Sequence, residues 1–142
     1  MKPSKQIIIA AFFSFILLSS FTKITPDQRL IDYLGAEKVN TLQKNNPNLI
    51  AYYNFYLDNA YILEEIPADK LAGNGFTTLT VPLQNGKVNT KKLNILLLDI
   101  QRKYDTRVYY KVKGSSQVFV FLSEKEFMEK YNAHRKQLGL DK

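Results

Sequence analysis

The sequence predicts an α+β fold: N-terminal helices followed by a small, mainly antiparallel sheet with two helices packed on one face. Three observations predict it. Apolar residues recur at helical spacing between residues 28 and 57. Strict alternation governs Thr106–Lys113, where Val108, Tyr110 and Val112 share one face and Arg107, Tyr109 and Lys111 the other. Ser123-Glu124-Lys125-Glu126 then reads as a capping box, with Ser at the cap and Glu three residues on, ahead of an apolar helical stripe.

The chain opens differently. Ile7–Phe21, IIIAAFFSFILLSSF, holds no charge and nothing more polar than Ser, and Lys2 and Lys5 precede it. A basic start, a short apolar core and small residues at its end make a secretory signal, with Ser20-Phe21-Thr22 at the cut. A spanning helix wants about 20 apolar residues, so a retained membrane anchor is the second reading. Residues 1–22 are therefore a signal peptide or uncleaved anchor, and residues 23–142 a single domain. Its expected place is the periplasm or the cell exterior, touching a membrane only through residues 7–21. With no cysteine in the chain, lipid attachment to an N-terminal Cys and disulfides are both excluded. Packing alone must hold the domain, and all nine tyrosines lie within it.

Thr25-Pro26-Asp27 opens the first helix, with Thr as cap and Pro in the first turn. Leu30, Ile31 and Leu34 form its stripe, and Gly35 ends it. A second helix spans roughly Ala36–Lys44. Asn46 and Pro47 repeat the capping logic for a third, NLIAYYNFYLDN, which is apolar on nearly all sides and so expected to be central. Ala60–Ile66 reads as a strand, residues 68–75 as a loop with a turn at Gly73-Asn74-Gly75, and Phe76–Val81 as an edge strand bounded by Pro82. Asn85-Gly86 is a turn dipeptide. From Asn89 to Tyr104 helical spacing returns through Leu93, Leu96, Leu97, Ile100 and Tyr104, which predicts a helix. Strand Thr106–Lys113, turn Lys113–Ser116 and strand Gln117–Leu122 form the central hairpin, with the second strand apolar on both faces. Phe127, Met128 and Tyr131 line the last helix, which ends at Gly139.

Chemistry is sparse. The single histidine, His134, reads as a solvated residue near the negative end of the last helix. No nucleophile elbow, phosphate loop, dinucleotide fingerprint or zinc helix motif occurs, so no catalytic residue, metal or cofactor is expected. Glu64 and Glu65 would face opposite sides of a strand, a poor acid–base pair.

The expectation is an exported, non-enzymatic binding module for another envelope protein or an acidic polymer. The formal charge of +7 would become +5 on loss of Lys2 and Lys5, which suits an anionic partner, whereas export disfavours nucleic acid. The alternative is a small hydrolase or inhibitor-type protein using scattered carboxylates. Arg107, Tyr109, Lys111 and Lys113 are the expected binding residues, because Arg and Tyr dominate interface hot spots. Lysines at a sheet edge also serve simply to block unwanted pairing. The tyrosine-rich helix Leu49–Leu57 is the second candidate surface.

Overall fold

The computed structural model describes residues 23–71 and 75–140. The apolar run 7–21 lies outside them, as do Gly73 and Asn74 of the expected turn. The elements are α1 (Gln28–Leu34), α2 (Ala36–Asn45), α3 (Pro47–Asn59), β1 (Tyr61–Glu65), α4 (Ala68–Leu71), β2 (Thr77–Leu79), β3 (Leu83–Gln84), β4 (Lys87–Val88), a 3-10 turn (Ile95–Leu97), β5 (Val108–Val112), β6 (Gln117–Phe121) and α5 (Glu124–Gln137). The fold class is α+β, in the expected helix-then-sheet order.

Helix α1 starts two residues later than its Thr-Pro signal. Asp27 is the cap, and its carboxylate accepts from the Arg29 backbone N–H at 2.9 Å. The reason is tertiary. Asn54 of α3 accepts from the Asp27 N–H and donates to the Thr25 carbonyl, so the lead-in segment is laced to α3. Gly35 ends α1, and Pro47 occupies the first turn of α3, whose cap position is Asn46.

The sheet runs β1-β6-β5-β2. Strands β1 and β5 flank β6 antiparallel, and β2 joins β5 in parallel, which makes the sheet mixed. Tyr61 and Val108 both register with Phe121, and Leu63 and Tyr110 with Phe119. These residues share the face that α3 and α5 cover, where the Tyr56 ring meets Phe121 edge-on at 6.2 Å. As its composition requires, β6 is inaccessible on both sides: Val118, Phe119 and Val120 are 0% exposed. Asn85 and Gly86 both take positive φ, 53° and 73°, and close the small β3–β4 hairpin as their sequence demands.

The expected helix over 89–104 is not there. Only Ile95–Leu97 forms a single 3-10 turn, and Leu98 is already extended. Long-range bonds take the place of a helical ladder. The Asn94 amide donates to the Arg29 carbonyl at 2.9 Å while its oxygen accepts from the Leu96 N–H, and Arg29 Nη1 donates to the Leu93 carbonyl. Leu93 and Ile95 plug the core at 0% and 2% exposure, whereas Leu97 and Tyr104 stand in solvent. Leu93→Ala should cost about 2–5 kcal/mol, and Leu97→Ala no more than about 0.5. Denaturant melts check this; equal costs would restore the helical stripe.

Candidate functional site

Among the described residues, a cavity of about 690 Å³ lies between α3 and the end of α5. Helix α3 gives it Pro47, Asn48, Ala51, Asn54, Phe55 and Asn59. These positions recur every three or four residues and so share one face. His134 enters from α5, Leu138 from its C-cap, Leu140 from the segment after it, and Ile24 from the lead-in.

An aromatic seam sets the spacing of the two helices. Phe127 meets Tyr52, Phe55 and Tyr56 at 5.5, 5.8 and 5.3 Å, and Tyr131 meets Tyr52 and Phe55 at 5.2 and 5.5 Å. One turn beyond, His134 stacks on Phe55 at 4.5 Å with the planes 23° apart. Ala51, one turn before Phe55, is too small to fill the gap, and the cavity opens there. The far wall is fixed by how α5 ends. Gly139 takes φ 68°, its N–H bonds the Lys136 carbonyl, and the Leu140 N–H bonds the Arg135 carbonyl. This pair of bonds is a Schellman motif, which folds Leu140 back beside Leu138.

The walls are mainly apolar. Asn54 is occupied by Thr25 and Asp27, and the Asn59 amide donates to the Phe55 carbonyl at 2.9 Å. Asn48 sits exposed at the rim. His134 is therefore not the solvated residue that its charged neighbours suggested. It is half-buried on a ring and lines the cleft. Its signal was present in the spacing: Phe127, Tyr131, His134 and Leu138 follow i, i+4, i+7, i+11.

The residues expected to bind on β5 have partners of their own. Arg107 donates from Nε and Nη2 to both oxygens of Glu126, the closest at 2.7 Å, and so completes the capping box in which Ser123 and Glu126 bond each other. This pairing holds the Glu126 carboxyl below its usual range. Tyr109 stacks on Phe76 at 5.4 Å. Lys111 is half-buried, in register with Val118. Lys113 lies past the strand end, its backbone N–H bonded to the Leu79 carbonyl, and its side chain is exposed. Arg107, Tyr109 and Lys111 share a side by alternation.

Glu65 accepts from the Ser116 hydroxyl at 2.9 Å and pairs with Lys87 at 3.4 Å. No cluster of three metal-ligating side chains occurs among the described residues. Arg102 lies over the Tyr56 and Phe127 rings at 5.4 and 4.9 Å, while its Nε and Nη2 have no hydrogen-bond partner among the described residues. Cation–π attraction holds it to the seam.

A second ionic cluster is structural. Arg29, 15% exposed at its side chain, donates to Asp27, Asp58 and the Leu93 carbonyl, which leaves its guanidinium well bonded. Hydrogen bonding from Arg29 holds the Asp27 carboxyl below its usual range. A depressed carboxylate contributes its full stabilisation above the unfolded value, about 4, and loses it as pH falls through the folded value. The melting temperature should therefore drop below about pH 4, and Asp27→Asn should lower it at pH 7 and flatten the acid limb. An unchanged acid limb in thermal melts would remove Asp27 from the clamp.

No protein-family model matches the chain, and no curated protein or solved structure does so. The fold and site define a small α+β domain with one large apolar cleft among its described residues.

Proposed function

We propose that this protein is an exported, non-enzymatic binding module that takes the apolar part of an envelope ligand into the cleft between α3 and α5. The cleft itself carries the reading: about 690 Å³, within the ~300–1,000 Å³ of small-ligand sites, with apolar walls and most of its amides already engaged. The N-terminal apolar run supports export. No helix among the described residues is long and apolar enough to cross a membrane. A second surface, Lys111 on β5 with Lys113 just past its end, supports contact with an anionic envelope partner or polymer, but Arg107 and Tyr109 are engaged within the chain. The hydrolase alternative has weaker support, since the bonds made by Glu65 are those of a structural carboxylate.

The fluorescent amphiphile anilinonaphthalene sulfonate tests the cleft. The native protein should bind it with enhanced emission, and Ala51→Phe, which fills the cavity, should abolish this with little change in melting temperature. Arg107→Ala with Tyr109→Ala should leave the emission as it was. Emission lost in the double variant but kept in Ala51→Phe would move the site to β5.

A further inference from the structure

We propose that the cleft takes an acyl chain of an anionic membrane lipid, with the α3–α5 end of the domain set against the bilayer surface. This rests on the reading of the cleft as the binding site and adds the source of its ligand.

Three independent features converge on that end of the molecule. The first is the chemistry of the cavity. The apolar part of its walls is Ile24, Pro47, Ala51, Phe55, Leu138 and Leu140, and the two leucines at its mouth are 58% and 46% exposed. Set at the mouth of an apolar cavity, they extend it into one exposed apolar patch, the kind of surface that marks a binding site. A peptide fits poorly. Its backbone N–H and C=O groups would need a row of partners, whereas Asn54 and Asn59 are already spent on Thr25, Asp27 and Phe55, which leaves Asn48 at the rim and His134 among the lining's polar side chains. An acyl chain brings no such groups.

The second is charge. Among the described residues, no charged side chain lines the cleft; next to its lining in sequence stand Arg135 and Lys136, between His134 and Leu138, and against them Asp58 beside Asn59 and Asp141 after Leu140. Lys23 adds another cation beside Ile24. In a chain of formal charge +7, an uncharged apolar cleft suits the acyl chain of a lipid whose headgroup is anionic, since basic residues are drawn to an anionic leaflet.

The third is reach. The apolar run ends at Phe21, three residues before Ile24. Three extended residues span at most about 11 Å. While that run is in a membrane, before cleavage or without it, the cleft is held within headgroup distance of the bilayer.

The chain has no tryptophan, so Leu138→Trp gives a single reporter at the mouth of the cleft; Leu140→Trp is a second, should the first disturb the fold. The probe is vesicles of phosphatidylcholine with phosphatidylglycerol, the latter brominated on its acyl chains. The expected result is that brominated phosphatidylglycerol roughly halves the indole emission, that Ala51→Phe in the same chain removes most of the quenching, and that raised salt weakens it. Quenching that survives Ala51→Phe would mean surface insertion without the cleft and would overturn the proposal. So would equal quenching by brominated phosphatidylcholine alone, which would show no anionic preference. If anilinonaphthalene sulfonate enters the cleft but no lipid quenches the reporter, the cleft stands as a site and its ligand is not a lipid.

Discussion

Phe127 is the residue on which the two halves of this protein meet. It is 0% exposed, and its ring is met by Tyr52, Phe55 and Tyr56 of α3 and by the Arg102 guanidinium. In a chain without cysteine, no disulfide ties the helical portion to the sheet. Aromatic contacts do so, each contributing about 0.5–1.5 kcal/mol beyond the area it buries. The capping box at Ser123 fixes where α5 begins, Arg107 pins that box to β5, and Phe127 follows one turn in. The same seam creates the cleft. Once Phe55 and Tyr131 are packed, His134 and Leu138 must follow along α5, and Ala51 must fall opposite space.

A second constraint acts from the other side. Arg29 gathers Asp27, Asp58 and the Leu93 carbonyl, and Asn94 returns a bond to the Arg29 carbonyl. This reciprocal clamp seats α1 against the 93–98 segment and delivers Leu93 and Ile95 to the core. It also explains why that segment is not a helix: the backbone is held by distant groups. Both devices are polar and specific, whereas β6 between them contributes mostly burial.

The parts of the fold that were legible in the sequence are those whose signals are local. Alternation placed Val108, Tyr110 and Val112 on one face, and the Ser123 box and Gly139 marked both ends of α5. The segment 89–104 misled because a helical leucine spacing can also arise where alternate leucines plug a core and face water, and the bond from Asn94 to the Arg29 carbonyl spans sixty-five positions. On β5, alternation gave the side of Arg107 and Tyr109 correctly but could not show Glu126 and Phe76 waiting for them. The cleft was hidden for the same reason. Its walls come from Ile24, from α3 and from the end of α5, and no window of sequence contains them together. His134 alone carried a readable sign, its register with Phe127 and Tyr131, which its charged neighbours Arg135 and Lys136 obscured.

The central claim is that the ligand enters between α3 and α5. Methyl-resolved nuclear magnetic resonance tests it most directly, with the protein titrated by a short-chain phosphatidylglycerol below its micelle concentration. The account predicts saturable shifts at the methyls of Ile24, Ala51, Leu138 and Leu140, with the His134 ring following them. Shifts centred instead on Val118, Val120 and the side chains of β5, with the cleft methyls unmoved, would contradict it.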